Sequence, residues 1–207
     1  MKNQYFGDIN DYRKYGILRI LSNTGQISTL ICWMLTENDS RADGKFISYL
    51  DNKKKFGKYD PELFDKLSDC NKSDYRNVDG CKRNCINYLA AKHDLVFLDP
   101  DNGLEIKSTR KGNKGSSKFL YYDELVKLYE QGDSLLIYQH FIREERNQFI
   151  LRISDKLKES TGCNIIFPLI TSNVVFFLIP KIGKEEYFSR QVTSVGANWG
   201  KEIKVSL

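Results

Sequence analysis

The feature that most limits the fold of this chain is a unit that recurs in its second half. A short, nearly all-apolar run is followed by a turn, a helix-patterned segment and another apolar run. The runs are LVFLD at 95–99, SLLIYQ at 134–139, NIIFPLI at 164–170 and VVFFLIP at 174–180. Runs of this length without polar alternation describe strands buried on both faces. Between them, 122–131 (YDELVKLYEQ) reads as a helix, as does 142–159, with Phe149, Ile150 and Ile153 facing inward. Strand–helix–strand alternation predicts a parallel sheet covered on both faces, because a parallel return needs a long crossover. The last two runs are joined only by Thr171-Ser172-Asn173, too short for a crossover, so these strands are expected to be antiparallel.

The first half follows the same rule less clearly. Residues 8–22 read as a helix capped by Asp8, with Ile9, Tyr12, Gly16, Ile17, Ile20 and Leu21 on one face. A buried strand at 28–35 and a short strand at 46–50 come next, then a helix at 61–69 opened by Asp60-Pro61-Glu62. A helix at 78–92, a helix near 184–194 and a strand near 201–206 complete the reading. The expected fold is one α/β domain over residues 1–207. It is a three-layer, Rossmann-like, mostly parallel sheet with an antiparallel C-terminal strand.

Composition narrows the class. With 41% hydrophobic and 29% charged residues the chain can bury a core, which excludes a disordered protein. No apolar run approaches the roughly 20 residues of a membrane span, and MKNQYFGDIN has no secretory-signal pattern. Five cysteines, an odd number, match no disulfide framework. A cytoplasmic location, free thiols and no membrane partner are therefore expected. Cys70, Cys81, Cys85 and His93 have spacings that fit no common zinc pattern, and His93 reads as structural.

In open parallel sheets ligands bind outside the carboxyl ends of the strands. That rule selects Thr36, Glu37 and Asp39; Asp99, Asp101 and Asn102; and Gln139, His140 and Arg143. Asp8, Asp11, Tyr12, Arg13 and Lys14 on the first helix are within reach of the same side. The net charge of +5 is modest, but basic residues cluster. Lys53, Lys54, Lys55 and Lys58 form one group, Lys107, Arg110, Lys111, Lys114 and Lys118 a second, and Arg143, Arg146 and Arg152 a third. The second leaves the candidate site through a loop, Gly112 to Lys118, whose composition suits anion binding although it lacks the P-loop order.

Taken together, the Tyr12-Arg13-Lys14-Tyr15-Gly16 helix, VFLDPDNGLE, LLIYQHF and SNVVFFLIP resemble Rossmann-type methyltransferases that use S-adenosylmethionine. The chain is particularly similar to ribosomal-RNA adenine methyltransferases, in which a strand ends in Asp/Asn-Pro-Pro-aromatic. The segments YFGDINDYRKYG and DPDNGLE also resemble a bacterial family of unassigned function. The first resemblance implies methyl transfer to a nucleic acid or nucleotide, with Asp99 orienting the attacking amine or accepting its proton. Asp101, Asn102 and His140 would join it, and Lys114, Lys118, Gln139 and Arg143 would bind substrate. Thr36, Glu37 and Asp51 would stand nearest the cofactor. The chain departs from that family in three places, one being that residues 28 to 95 offer only two strands for the cofactor-binding half. No glycine follows the first strand until Gly44, and Asp101-Asn102 replaces the second proline and the stacking aromatic. Glu37 and Asp39 would repel the cofactor's carboxylate, so weak or absent S-adenosylmethionine binding is expected.

Two other chemistries suit the same residues. Asp99, Asp101 and Glu105 form a carboxylate set that can hold Mg²⁺ for nuclease or phosphoryl-transfer chemistry, Glu105-Ile106-Lys107 having the acid-x-Lys form of such sites. A non-catalytic nucleic-acid-binding module on the same scaffold is the third reading. Under the enzyme readings, Asp99→Asn is expected to abolish activity with the melting temperature near wild type.

Overall fold

The computed structural model describes residues 7–34, 36, 46–72 and 93–205. Among these residues six strands form one sheet: β1 (Thr29–Cys32), β2 (Leu95–Leu98), β3 (Ser134–His140), β4 (Phe167–Ile170), β5 (Val174–Ile179) and β6 (Lys204–Val205). Their order across the sheet is β1-β2-β3-β5-β4-β6. β1, β2 and β3 are parallel neighbours, as the strand–helix alternation predicts. β5 lies antiparallel beside β3, and the β4–β5 and β4–β6 pairs are antiparallel too. The sheet is therefore mixed rather than mostly parallel. The cause is local: once Thr171–Asn173 turn the chain straight back, β5 must run down beside β3, and β4 and β6 stack outward from it.

Helices cover both faces. On one lie α1 (Ile9–Leu21), α3 (Pro61–Lys72) and α6 (Glu185–Trp199), packed on Leu136, Tyr138, Phe176 and Leu178. On the other lie α4 (Tyr122–Gln131) and α5 (Arg146–Thr161), packed on Leu135, Ile137, Phe177 and Ile179. Successive strand residues thus feed two separate cores, which is why these runs show no polar alternation. Phe149, Ile150 and Ile153 point inward as expected. Gly16 is where α1 meets α6: a Cβ there would lie 2.2 Å from the Trp199 ring, so glycine lets the two helices approach.

Several boundaries differ from the sequence reading: β1, β4 and β6 are shorter than 28–35, 164–170 and 201–206, and α5 runs from Arg146 to Thr161 rather than over 142–159. Residues 46–50 are not a strand: Ser48–Asp51 form a 3₁₀ turn, Asn52 caps it, and the short helix α2 (Lys53–Phe56) follows. Tyr49 governs this, stacking on Tyr12 and donating its hydroxyl to the Gly7 carbonyl, while Phe46 and Ile47 are exposed. α3 and α6 each run longer than predicted. The expected helix at 78–92 lies outside the described residues, as do Glu37, Asp39, Cys81 and Cys85. Cys163 is a free, buried thiol, and Cys32 is buried as well. Among the described residues, no helix is long and apolar enough to cross a membrane.

Candidate functional site

The carboxyl ends of β1, β2 and β3 meet the amino-terminal half of α1. Asp8 caps that helix, its carboxylate accepting from the Asn10 and Asp11 amides. One turn on, Lys14 passes beneath the helix into the protein, where it is 3% exposed. Its ammonium donates to Asp11 Oδ1 at 3.0 Å and to Asp99 Oδ2 at 2.8 Å. Asp99 is itself 1% exposed at the end of β2. Aromatic rings enclose the cation: Tyr138 at 4.7 Å, Trp33 at 5.3 Å and Phe97 at 5.9 Å from Nζ. The second oxygen of Asp11 accepts from the Gly7 amide at 2.8 Å, tying the chain entering α1 to the cluster.

The electrostatics follow from this burial. Burial alone would pull the Lys14 pKa down, but Asp99 and Asp11 outweigh it and hold the ammonium well above its ordinary value. Lys14 is therefore a fixed cation and not a base. Burial pushes Asp11 upward against the pull of Lys14. Asp8, desolvated and facing Asp11, is pushed up to about 6. The Tyr15 and Tyr138 hydroxyls are also driven up by burial. At the rim, His140 is exposed and lies edge-on to Tyr138. The surrounding protein still desolvates its ring and pulls its pKa below the usual histidine value, ahead of the opposing charge of Asp99. At neutral pH it is an uncharged imidazole, able to accept a proton.

Not all the residues named from sequence converge here. Asp99, Asp101 and His140 do gather at this edge: Asp101 is half-buried and accepts from the Thr36 hydroxyl at 3.1 Å. Asn102 is exposed and its backbone amide donates to the Lys118 carbonyl at 2.8 Å, which brings the basic loop back beside the site. That loop is a chain of tight turns, Thr109 to Ile106, Asn113 to Arg110 and Ser116 to Asn113. Lys114 is exposed on it, whereas Lys111 is paired with Asp123 and Glu124. Arg143 is exposed after β3.

Glu105 turns elsewhere: its carboxylate accepts from the Tyr122 amide at 2.9 Å and caps α4. With Lys14 holding Asp99 as well, the trio Asp99, Asp101 and Glu105 does not form a metal cage. Among the described residues no group of three or more His, Cys, Asp or Glu is placed to hold a metal ion. Asp51 ends the 3₁₀ turn, exposed, and the described residues 46–50 before it form no strand. Sequence reasoning put Asp11 and Lys14 on this side of the sheet but missed their pairing with Asp99. The one available signal was an acid and a lysine three residues apart on a helix otherwise rich in core residues.

Gln139, expected to contact substrate, has a different task. It is 4% exposed, its Oε1 accepts from the Leu104 amide at 2.7 Å and its Nε2 donates to the His140 carbonyl at 2.8 Å. Gly103 has φ +83°, and a Cβ there would lie 2.3 Å from Gln139 Oε1, so the Asp-Pro-Asp-Asn-Gly turn is clamped onto β3. Gln139→Leu orphans the buried Leu104 amide. It is expected to cost about 1–2 kcal/mol and to speed hydrogen exchange at residues 103 and 104. Unchanged exchange there would show that the clamp does not hold the turn.

In comparisons with known proteins, the chain matches no family model, no curated protein and no solved structure.

Proposed function

We propose that this protein is an enzyme acting on a nucleotide or nucleic acid, on a methyltransferase-like scaffold, with its reaction centre above Asp99. The observation that carries the reading is the Lys14–Asp11–Asp99 cluster, buried at the carboxyl edge of the parallel strands and opening onto Asp101 and His140. A buried ion cluster is a poor source of stability, because desolvation offsets much of its attraction. Perturbed titrating groups gathered at a sheet edge where ligands bind are the usual mark of a working site.

In this reading His140 takes the proton released by the attacking amine or hydroxyl. Asp101 and Asn102 contact the reacting unit, and Lys114, Lys118 and Arg143 face its phosphates. Asp99, locked by Lys14, is a positioning residue that fixes the turn carrying Asp101. S-adenosylmethionine is the cofactor the resemblance implies, and the described residues do not fit it. The turn after β1 has no glycine, Trp33 lies edge-on to Tyr15 and Phe97, and Met34 is 1% exposed. The described residues that follow β1 thus offer no bare backbone to a cofactor, and no step above runs through it.

The test is a product search with pooled RNA, DNA and nucleotides, analysed by nucleoside mass spectrometry and gel electrophoresis. Reactions contain S-adenosylmethionine, Mg²⁺, both or neither. Wild-type protein is expected to give a modified or cleaved product that falls at least tenfold in Asp101→Asn and in His140→Ala. A methylated nucleoside would support methyl transfer, and Mg²⁺-dependent cleavage would move the chemistry to phosphodiester bonds. If wild type alters none of these substrates, the enzyme reading fails.

A further inference from the structure

We infer that a second nucleic-acid contact surface lies across α1 from the Asp99 centre: an open cleft lined by Lys58, Tyr59, Ala197, Asn198, Gly200 and Lys201. It would take the phosphate backbone of a strand whose reacting unit sits at Asp99, and in that respect it rests on the function proposed above.

The topology puts cleft and centre on the same edge of the sheet. β5 runs antiparallel to β3, so α6 begins near the amino ends of the parallel strands and returns toward their carboxyl ends. At its far end Trp199 packs on Tyr12 with ring centroids 4.8 Å apart, and Lys204 pairs with Ile170 at the end of β4. α1 joins the two places through consecutive residues. Arg13 forms an ion pair with Glu202, just beyond the cleft lining, while Lys14 holds Asp99. The separation is thus of the order of one helix diameter, about 10 Å, a span that a few nucleotides bridge.

The charge of the cleft points to a polyanion. Its lining contains two lysines and no carboxylate. Lys54 and Lys55 on α2 are exposed just before it, and Lys204 is exposed just after it. Three carboxylates of this region are already matched, Glu202 with Arg13, Asp65 with Lys53 and Asp60 with Arg19, which leaves the exposed Asp51 before α2 as a partial counter-charge. Among the described residues, no ion pair engages Lys54, Lys55, Lys58, Lys201 or Lys204. The carbonyl end of α6 brings about half a negative charge to the cleft. Lys201 offsets that, and the other lysines remain in surplus. Ala197 and Gly200 keep the floor low, so a sugar-phosphate chain can approach the backbone. The Lys53–Lys58 cluster, which the Asp99 centre leaves without a role, finds one here.

Fluorescence anisotropy with labelled single-stranded and duplex 20-mers, titrated across a salt series, tests the inference on the full chain. Lys58→Ala/Lys201→Ala is expected to weaken binding about five- to tenfold and to flatten the salt dependence by roughly one to two ions. Lys127→Ala/Lys158→Ala removes equal charge from the α4–α5 face and is expected to change affinity less than twofold. Thermal melts confirm that both variants fold. Equal losses in the two variants would reduce the effect to net charge and overturn the inference. So would the absence of binding at low salt, or competition by polyglutamate as strong as by unlabelled oligonucleotide. A loss confined to Lys114→Ala/Lys118→Ala overturns the cleft while leaving the reaction-centre reading intact. A loss in the cleft variant, from a protein that converts no substrate, supports the cleft and removes the reaction centre.

Discussion

Lys14→Met is expected to destabilise the fold by about 3–5 kcal/mol, read as a lower urea midpoint at unchanged m-value. Methionine matches the length of the lysine stem and keeps the contacts with Trp33, Phe97 and Tyr138. What it removes is the cation between two carboxylates, Asp11 and Asp99, that are almost wholly buried. Each then needs a proton or water, and neither is cheap to supply there. The triple variant Lys14→Met/Asp11→Asn/Asp99→Asn removes all three charges and is expected to recover most of the loss. The side-chain carbonyl that Asp11→Asn retains can still accept from the Gly7 amide, as the carboxylate does. A Lys14→Met cost below about 1 kcal/mol would mean that water reaches the cluster, and it would then not be the buried foundation of a site.

The same geometry revises what Asp99→Asn can report. On sequence alone the residue ends a strand and faces a ligand, so the substitution is expected to leave the melting temperature near wild type. Asp99 in fact satisfies a lysine that is 3% exposed. Its neutral variant leaves Lys14 to Asp11 alone, and a lowered melting temperature is the outcome to expect whether or not the residue serves a reaction. Asp101 and His140, more open and outside the cluster, are the residues whose variants separate function from folding.

How far the sequence was legible follows from the range of the interactions involved. β2, β3 and β5 were plain because each writes its burial into adjacent residues, and the Thr171–Asn173 link fixed the direction of β5. The edge of the site was legible for the same reason, since Asp99 directly follows an apolar run. Its partner was not. Lys14 and Asp99 are 85 residues apart, and an ion pair of that separation leaves no periodic trace. Glu105 misled for the converse reason. Its nearness to Asp99 in sequence suggested a shared metal, yet its carboxylate bonds an amide 17 residues away. Residues 46–50 have strand-forming side chains, but Tyr49 is drawn inward by Tyr12 and Gly7, with Leu50 partly buried beside it, and a turn delivers them.

Asp8 sets the sign of the pH dependence of stability. Its pKa rises from 3.8 in the unfolded chain to about 6 in the fold, through burial first and the nearby Asp11 second, with Lys14 and the Asn10 and Asp11 amides opposing. The folded state thus holds this proton more tightly. Stability is greatest below pH 3.8 as far as this group is concerned, declines as pH rises toward 6, and is level above that. At about 1.4 kcal/mol per pKa unit, with some relief from the 8% exposure, the loss is on the order of 2–3 kcal/mol. Asparagine caps a helix as well as aspartate and can accept the same two amides. Asp8→Asn is therefore expected to match wild type near pH 3.5 and to exceed it by that margin at pH 7.5 in denaturant titrations. Asp11, raised in the same direction, keeps a residual slope in the variant. If Asp8→Asn instead loses stability at pH 7.5, the carboxylate is stabilised there by its charge. The cluster would then have to be treated as electrostatically favourable in itself, rather than as a cost the fold carries for its site.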